Sequence, residues 1–125
     1  MGLLSGLLGN AAEADVADVE KNLEQILAED ERVERAFQLV RDLIIFTNRR
    51  LMLVDRQGLT GKKTTYQSIP YRAITNFAVE TAGHFDLESE LKIWISSQPD
   101  PVQKTFTRGR TIFEVQKALA TYVGR

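Results

Sequence analysis

Apolar and polar residues alternate almost strictly along residues 85–97, which is the clearest pattern in the chain. The odd positions from Phe85 to Ile95 are apolar except for Ser89, whereas the even positions carry charged residues or Trp94. A period of two indicates a β-strand with one face in the core and the other toward solvent. Half-buried strands of this kind are typical of antiparallel sheets.

Shorter strand-like segments occupy much of the remaining chain and are separated by turn residues. Val33, Phe37 and Leu39 are predicted to share one face of the first strand. Because no helices alternate with the strands, the pattern favours a small antiparallel sheet or barrel over a parallel α/β sheet. The predicted strands cover residues 33–39, 43–46, 51–55, 63–69, 73–81, 85–97 and 102–107.

Two segments show helical spacing instead. Residues 11–28 are predicted as an amphipathic helix that begins after Asn10, and residues 110–123 as a second helix that closes one open end of the barrel. A helix as short as the first is marginal alone, so its apolar stripe needs a partner surface. That stripe consists of Val16, Val19, Leu23, Ile26 and Leu27, and the stripe of the second helix of Ile112, Val115, Leu119 and Tyr122.

The net charge of −1 conceals a division of charge along the chain. Residues 1–31 carry eight acids and one base, whereas residues 32–125 carry fifteen bases and nine acids. We therefore separate an acidic N-terminal arm (1–31) from a basic barrel (32–125). The arm is expected to dock on its own barrel or on that of a neighbour, where it would cover basic turns.

The composition excludes several kinds of chemistry. The chain has no Cys and a single His, so it has no disulfide, thiol nucleophile or multi-His metal site. His84 has no nucleophile beside it, and Glu88 with Glu90 fits a solvated strand face better than a pair of catalytic carboxylates. Residues 57–63 contain Gly and Lys without the spacing of a phosphate-binding loop. We expect no enzyme activity, metal or cofactor.

Several segments together resemble the bacterial pleckstrin-homology (PH) domain family. The similarity includes the initial Gly-Leu-Leu and extends in order through the chain, in residues 40–51, 57–63, 68–71, 79–87, 91–97 and 114–119. It implies a PH-like small antiparallel β-barrel of two nearly orthogonal sheets, with about seven strands and a C-terminal capping helix. It also implies a cyclic homo-oligomer, with five-fold rings expected.

Two differences separate this chain from the eukaryotic PH domains. Their phosphoinositide site uses several basic residues on the first two strands, whereas residues 35–46 contain only Arg35 and Arg41. Their last helix usually carries a Trp, but the only Trp here is Trp94 in a predicted strand. Specific recognition of phosphoinositide headgroups is therefore not implied.

Five basic residues near two predicted turns form a candidate patch for anionic ligands. They are Arg49, Arg50, Arg56, Lys62 and Lys63. If the two turns lie at one end of the barrel, these residues could contact an anionic membrane surface or an acidic protein. Nucleic acid is not expected, because exposed aromatic residues are sparse. The alternative is that these bases only keep the turns solvated.

Protein binding is the function that the sequence favours, through self-assembly and an unidentified protein partner. The expected interface residues are Trp94 and the apolar stripe of the first helix. Trp94 is expected because burying a large ring contributes more binding free energy than burying a small side chain. Trp94 could equally be covered within its own chain. The alternative function is a peripheral membrane module. Without an export signal or a membrane span, we expect the protein in the cytoplasm, either free or at the inner membrane face.

Overall fold

The computed structural model describes residues 12–39, 42–57, 63–81, 88–107 and 109–124. These residues form eight strands and two α-helices. The strands are β1 (Ala12–Glu13), β2 (Val33–Gln38), β3 (Asp42–Thr47), β4 (Arg50–Gln57), β5 (Lys63–Pro70), β6 (Ile74–Thr81), β7 (Ser89–Ile95) and β8 (Val102–Phe106). The helices are α1 (Val16–Asn22) and α2 (Thr111–Val123), and a 3-10 turn (Tyr71–Ala73) joins β5 to β6.

The strands form two antiparallel sheets in chain order. The first sheet runs β1-β2-β3-β4-β5 and the second runs β6-β7-β8, and within the described residues no ladder joins one sheet to the other. The seven predicted strands correspond to β2–β8, and β1 adds a two-residue strand at the edge of the first sheet. The predicted PH-like architecture is confirmed.

A bulge in β2 changes which side of the sheet its residues face. Val33 lies opposite Thr47 but Arg35 lies opposite Phe46, so the intervening Glu34 is the extra residue. Because one extra residue reverses the alternation, Val33 packs on the outer side of the sheet while Phe37 packs inside. The prediction that these two residues share a face was wrong for this reason.

The alternating strand is confirmed where the structure describes it. Its odd residues from Ser89 to Ile95 are buried, and its even residues are half-buried. Phe85 and Leu87 lie outside the described residues, as does His84, and β7 begins at Ser89.

The inner core lies between the two sheets and α2. The predicted stripe of α2 is buried in full, with Ile112, Val115, Leu119 and Tyr122 packed against residues of both sheets. The ring of Tyr122 stacks on Phe46 and on Tyr71, with centroid distances of 5.3 and 5.1 Å. The helix therefore holds the two sheets together around one core.

The N-terminal helix is shorter than predicted. Ala12 and Glu13 pair with β2 as a strand, so the helix begins only after Asp15. The Asp15 carboxylate accepts hydrogen bonds from the backbone N–H groups of Ala17 and Asp18, which is the usual role of an N-cap. After Asn22 the chain continues in turns through residue 27, so the end of the predicted stripe lies beyond the helix.

The partner surface of the stripe lies in the same chain. Val19 and Leu23 are buried on the outer face of the first sheet, and Val16 and Leu27 pack at the edge of that cluster. Ile26 keeps 41% of its surface exposed. Among the described residues, no helix is long and apolar enough to cross a membrane.

Candidate functional site

The turn between β3 and β4 is closed by a side chain. The Thr47 hydroxyl oxygen accepts hydrogen bonds from the backbone N–H groups of Arg49 and Arg50, each at 3.0 Å. The Tyr71 hydroxyl donates to the Thr47 carbonyl at 2.6 Å. These hydrogen bonds fix the backbone positions of Arg49 and Arg50.

Glu31 lies at the centre of the contacts made by this turn. Its side chain is almost fully buried, and its carboxylate accepts hydrogen bonds from Arg50 Nε at 2.8 Å, Arg50 Nη2 at 2.9 Å and Thr47 Oγ1 at 2.6 Å. The backbone N–H of Ala28 donates to the same carboxylate at 2.9 Å. A buried carboxylate is stable only with such a set of donors.

These donors decide the protonation of Glu31. Burial by itself would raise the pKa of Glu31. The hydrogen bonds from Arg50, Thr47 and the Ala28 backbone, with the charge of Arg50, outweigh burial and lower the pKa from 4.5 to about 2. Glu31 is therefore an anion at neutral pH, and it is a structural ion rather than a proton donor.

The remaining groups of the turn contact the arm in the same way. Arg49 binds Asp30 through both Nε and Nη2, and the hydrogen bond from Arg49 lowers the pKa of Asp30. The Asn48 side chain accepts from the backbone N–H of Arg32 and donates to the Asp30 carbonyl. The acidic arm thus meets the basic barrel within one chain.

The predicted basic residues that the structure describes do not form one patch. In a meander, consecutive turns lie at opposite ends of the strands. Arg49 and Arg50 stand at the start of β4, whereas Arg56 lies near its other end, opposite Thr64, and is separated from Arg50 by about 20 Å at about 3.3 Å per residue. Lys63 begins β5 beside Arg56, and Lys62 lies outside the described residues.

A cleft opens beside the arginine turn. It has a volume of about 490 Å³ and lies between the turns after α1, the start of β4 and the end of β5. Arg72 is exposed at its rim and has no acidic partner among the described residues. We call this the arginine cleft; its lining includes Ile26, Glu31, Arg49, Arg50, Ser68 and Arg72.

Sequence reasoning missed Arg72 because no other Lys or Arg lies between Lys63 and Lys92. Arg72 lies two positions after Pro70, and it reaches the cleft only because β5 ends there beside the turn that carries Arg49 and Arg50. The sequence pattern places the exposed Ile26 only in a helical stripe and not in a cleft. A pattern confined to neighbouring residues carries no signal for such a site.

The exposed edge of the first sheet continues from this cleft. β5 pairs with β4 on one side, and no strand of the described chain pairs with its other side. Seven of its eight residues are exposed or half-buried. Tyr66 keeps 52% of its surface exposed, and with Ile26 it is one of two large exposed apolar residues in the described chain.

The outer face of the second sheet has a different character. Glu80 and Glu90 lie directly opposite each other, and with Glu88 they line a second cleft of about 300 Å³. Trp94 is half-buried on the same face, two positions beyond Lys92, which forms an ion pair with Glu80 at 3.2 Å. Among the described residues, no group of three His, Cys, Asp or Glu side chains could hold a metal ion.

Comparison with known proteins identifies the family. The bacterial PH domain model matches residues 2–123. The Bacillus subtilis protein YjqA is 59% identical over 121 residues, covering 96% of this chain and 97% of that protein. YozO from the same organism is 33% identical over 103 residues, covering 82% of this chain and 88% of YozO.

Two crystal structures from Shewanella share both sequence and fold with this chain. The pleckstrin homology domain from Shewanella amazonensis is 48% identical with a TM-score of 0.83, covering 96% of this chain and 97% of the other. A DUF1696 family protein with a PH domain from Shewanella loihica is 46% identical with a TM-score of 0.80, covering 92% and 98%. Together with the two sheets and the capping helix, these matches show that the chain belongs to the bacterial PH domain family.

Proposed function

We propose that this protein is a non-enzymatic binding module that assembles into a cyclic homo-oligomer and binds protein partners. The observation that carries the proposal is the exposed surface formed by the β5 edge and the arginine cleft. Ile26 lines the cleft together with Arg72, and Tyr66 is exposed on β5 four positions before Pro70, which also lines the cleft. Aromatic residues and arginine are the side chains that contribute most to protein interfaces.

Self-assembly is supported by two surfaces of opposite charge. Arg56 and Lys63 are exposed at one end of the β4–β5 hairpin, and the cleft of three glutamates lies where the end of β6 meets the start of β7. Contact between unlike surfaces of two copies is head-to-tail, and such contacts close into rings when the rotation permits. Trp94 lies on the same face of the second sheet as these glutamates. Covering its large ring at a contact between copies would stabilise the assembly.

Light scattering tests assembly. We expect a mass of several times the 14.1 kDa of one chain at micromolar concentration. Trp94→Ala should lower that mass, while the exposed Lys21→Ala on α1 should leave it unchanged. A monomer for the unaltered protein would refute the ring.

Partner binding is tested by affinity purification with the full chain as bait. A true partner should be lost with Tyr66→Asp and retained with Lys117→Asp on α2. Equal recovery with both variants would place partner binding elsewhere.

Binding to an anionic membrane is the second candidate function. Arg56 and Lys63 favour it, because both are exposed at one end of the β4–β5 hairpin and have no acidic partner among the described residues. Lys62 adds a third base to this turn in the sequence. Each base near an anionic surface contributes about 1 kcal/mol, so cosedimentation with phosphatidylserine vesicles should depend strongly on salt. Absence of binding at low salt would exclude this function.

A further inference from the structure

We infer that the free edge of β5 receives an extended acidic peptide segment as an additional strand, with a carboxylate of that segment in the arginine cleft. The inference deepens the proposed function by naming the class of partner and its binding mode. It rests on the proposal that the protein is a protein-binding module.

The backbone of β5 is prepared for such pairing. Edge strands present unpaired N–H and C=O groups, and proteins usually protect them with charged residues, Pro or short length. β5 has eight residues, with Lys63 at its start and Pro70 at its end. The six residues between them carry neither charge nor Pro, and Thr and Tyr favour strands.

The side chains beside this edge define what the partner must carry. Tyr66, Ser68 and Pro70 lie on one face of β5, because alternate residues of a strand share a face. A strand added here would set one side chain beside Tyr66 and another beside Pro70, four positions further along. The first position suits an apolar residue.

The second position suits an acid because of the charges around it. Ser68, Pro70 and Arg72 line the cleft together with Arg49 and Arg50. Arg49 is bound by Asp30 and Arg50 by Glu31, so Arg72 is the lining cation that has no acidic partner among the described residues. One carboxylate would therefore complete the charge balance, and Arg binds carboxylates well through its planar fork.

A second copy of β5 is a poor occupant of the same edge. Antiparallel pairing of two β5 strands about their centre would place Lys63 of one copy opposite Pro70 of the other. This register brings a lysine to the arginine cleft instead of an acid, and β5 itself contains no acidic residue. Charge complementarity thus favours a foreign acidic strand over self-pairing.

Selection from a phage-displayed library of linear peptides on the full chain tests this inference. We expect enrichment of an aromatic or aliphatic residue and an Asp or Glu four positions apart. A synthetic selected peptide should lose about tenfold or more in affinity with Arg72→Glu, which corresponds to about 1.4 kcal/mol, and should also weaken with Tyr66→Ala. Lys117→Glu on α2 makes the same charge change and should leave affinity unaltered.

The backbone contribution needs its own measurement. Peptide binding should slow hydrogen exchange at alternate amides of β5. A Pro at the centre of the peptide should abolish binding, because Pro has no backbone N–H to donate. Failure to select any peptide would overturn the inference. So would selected peptides that bind Arg72→Glu and Tyr66→Ala at full affinity. Ring assembly is measured separately by light scattering, so a chain that assembles without binding peptides at β5 rejects the inference while leaving the proposed assembly standing.

Discussion

The carboxylate of Glu31 and the guanidinium of Arg50 form a two-point ion pair, with Arg50 Nε 2.8 Å from Oε2 and Nη2 2.9 Å from Oε1. The same guanidinium donates to the Ile26 carbonyl and to the Ser68 hydroxyl. Arg50 therefore joins the turns after α1 to two strands of the first sheet, and it fixes one wall of the arginine cleft.

Glu31→Gln tests the energetic weight of this pair. The substitution keeps the shape but removes the negative charge, leaving Arg50 partly buried without its counterion. We expect the free energy of unfolding to fall by about 2–3 kcal/mol in urea denaturation. Glu24→Gln, at an exposed position of the same arm, should change it by less than about 0.5 kcal/mol. Equal stability of the two variants would show that the pair contributes nothing.

Acid should weaken the fold through the same group. The folded pKa of Glu31 is about 2 and lies below its ordinary value of 4.5. Stability from this shift is therefore complete above pH 4.5 and is lost as pH falls toward 2, with a total of about 3 kcal/mol at about 1.4 kcal/mol per pH unit. Unfolding measured across this window should depend less on pH in Glu31→Gln. An NMR titration placing the Glu31 pKa near 4.5 would contradict the account.

Docking of the arm on its own sheet predicts unequal effects of two neighbouring apolar residues. Leu23 is buried in the outer cluster, so Leu23→Ala should cost about 2–4 kcal/mol of unfolding free energy. Ile26 keeps 41% of its surface exposed, and Ile26→Ala should cost about 1 kcal/mol or less. Thermal denaturation of both variants distinguishes them. A large loss in Ile26→Ala with none in Leu23→Ala would reverse the assignment of the two side chains.

The acidic arm should also mask the basic turn. Asp30→Asn removes the carboxylate that binds Arg49, and we expect binding to phosphatidylserine vesicles at low salt to rise about fivefold, equivalent to about 1 kcal/mol for one released base. The adjacent Glu29 is exposed and forms no ion pair with a described residue, so Glu29→Gln serves as the control for net charge. Identical binding by the two variants would show that Asp30 masks nothing specific.

Elements encoded by short-range periodicity were predicted well from the sequence. The alternation along β7 and the stripe of α2 repeat within a few residues, and burial follows them in the described chain. Val33 was misplaced because a single bulged residue reverses the faces of a strand, and such bulges depend on pairing with another strand. The late start of α1 likewise follows the pairing of Ala12 and Glu13 with β2, more than twenty positions along the chain.

The candidate site was predicted less completely because it is built from distant segments. Glu31 and Arg50 are 19 positions apart, and Arg72 meets them only through the end of β5. The charge division between the arm and the barrel did predict that acidic and basic segments meet. It could not show which residues pair, or that Arg50 and Arg56 lie near opposite ends of β4.

Light scattering of the full chain at micromolar concentration tests the central claim most directly, since the account requires surfaces that bind other proteins, including copies of the chain. The account predicts a single assembly whose mass is several times 14.1 kDa and falls in Trp94→Ala. A mass of 14.1 kDa for the unaltered protein would contradict it.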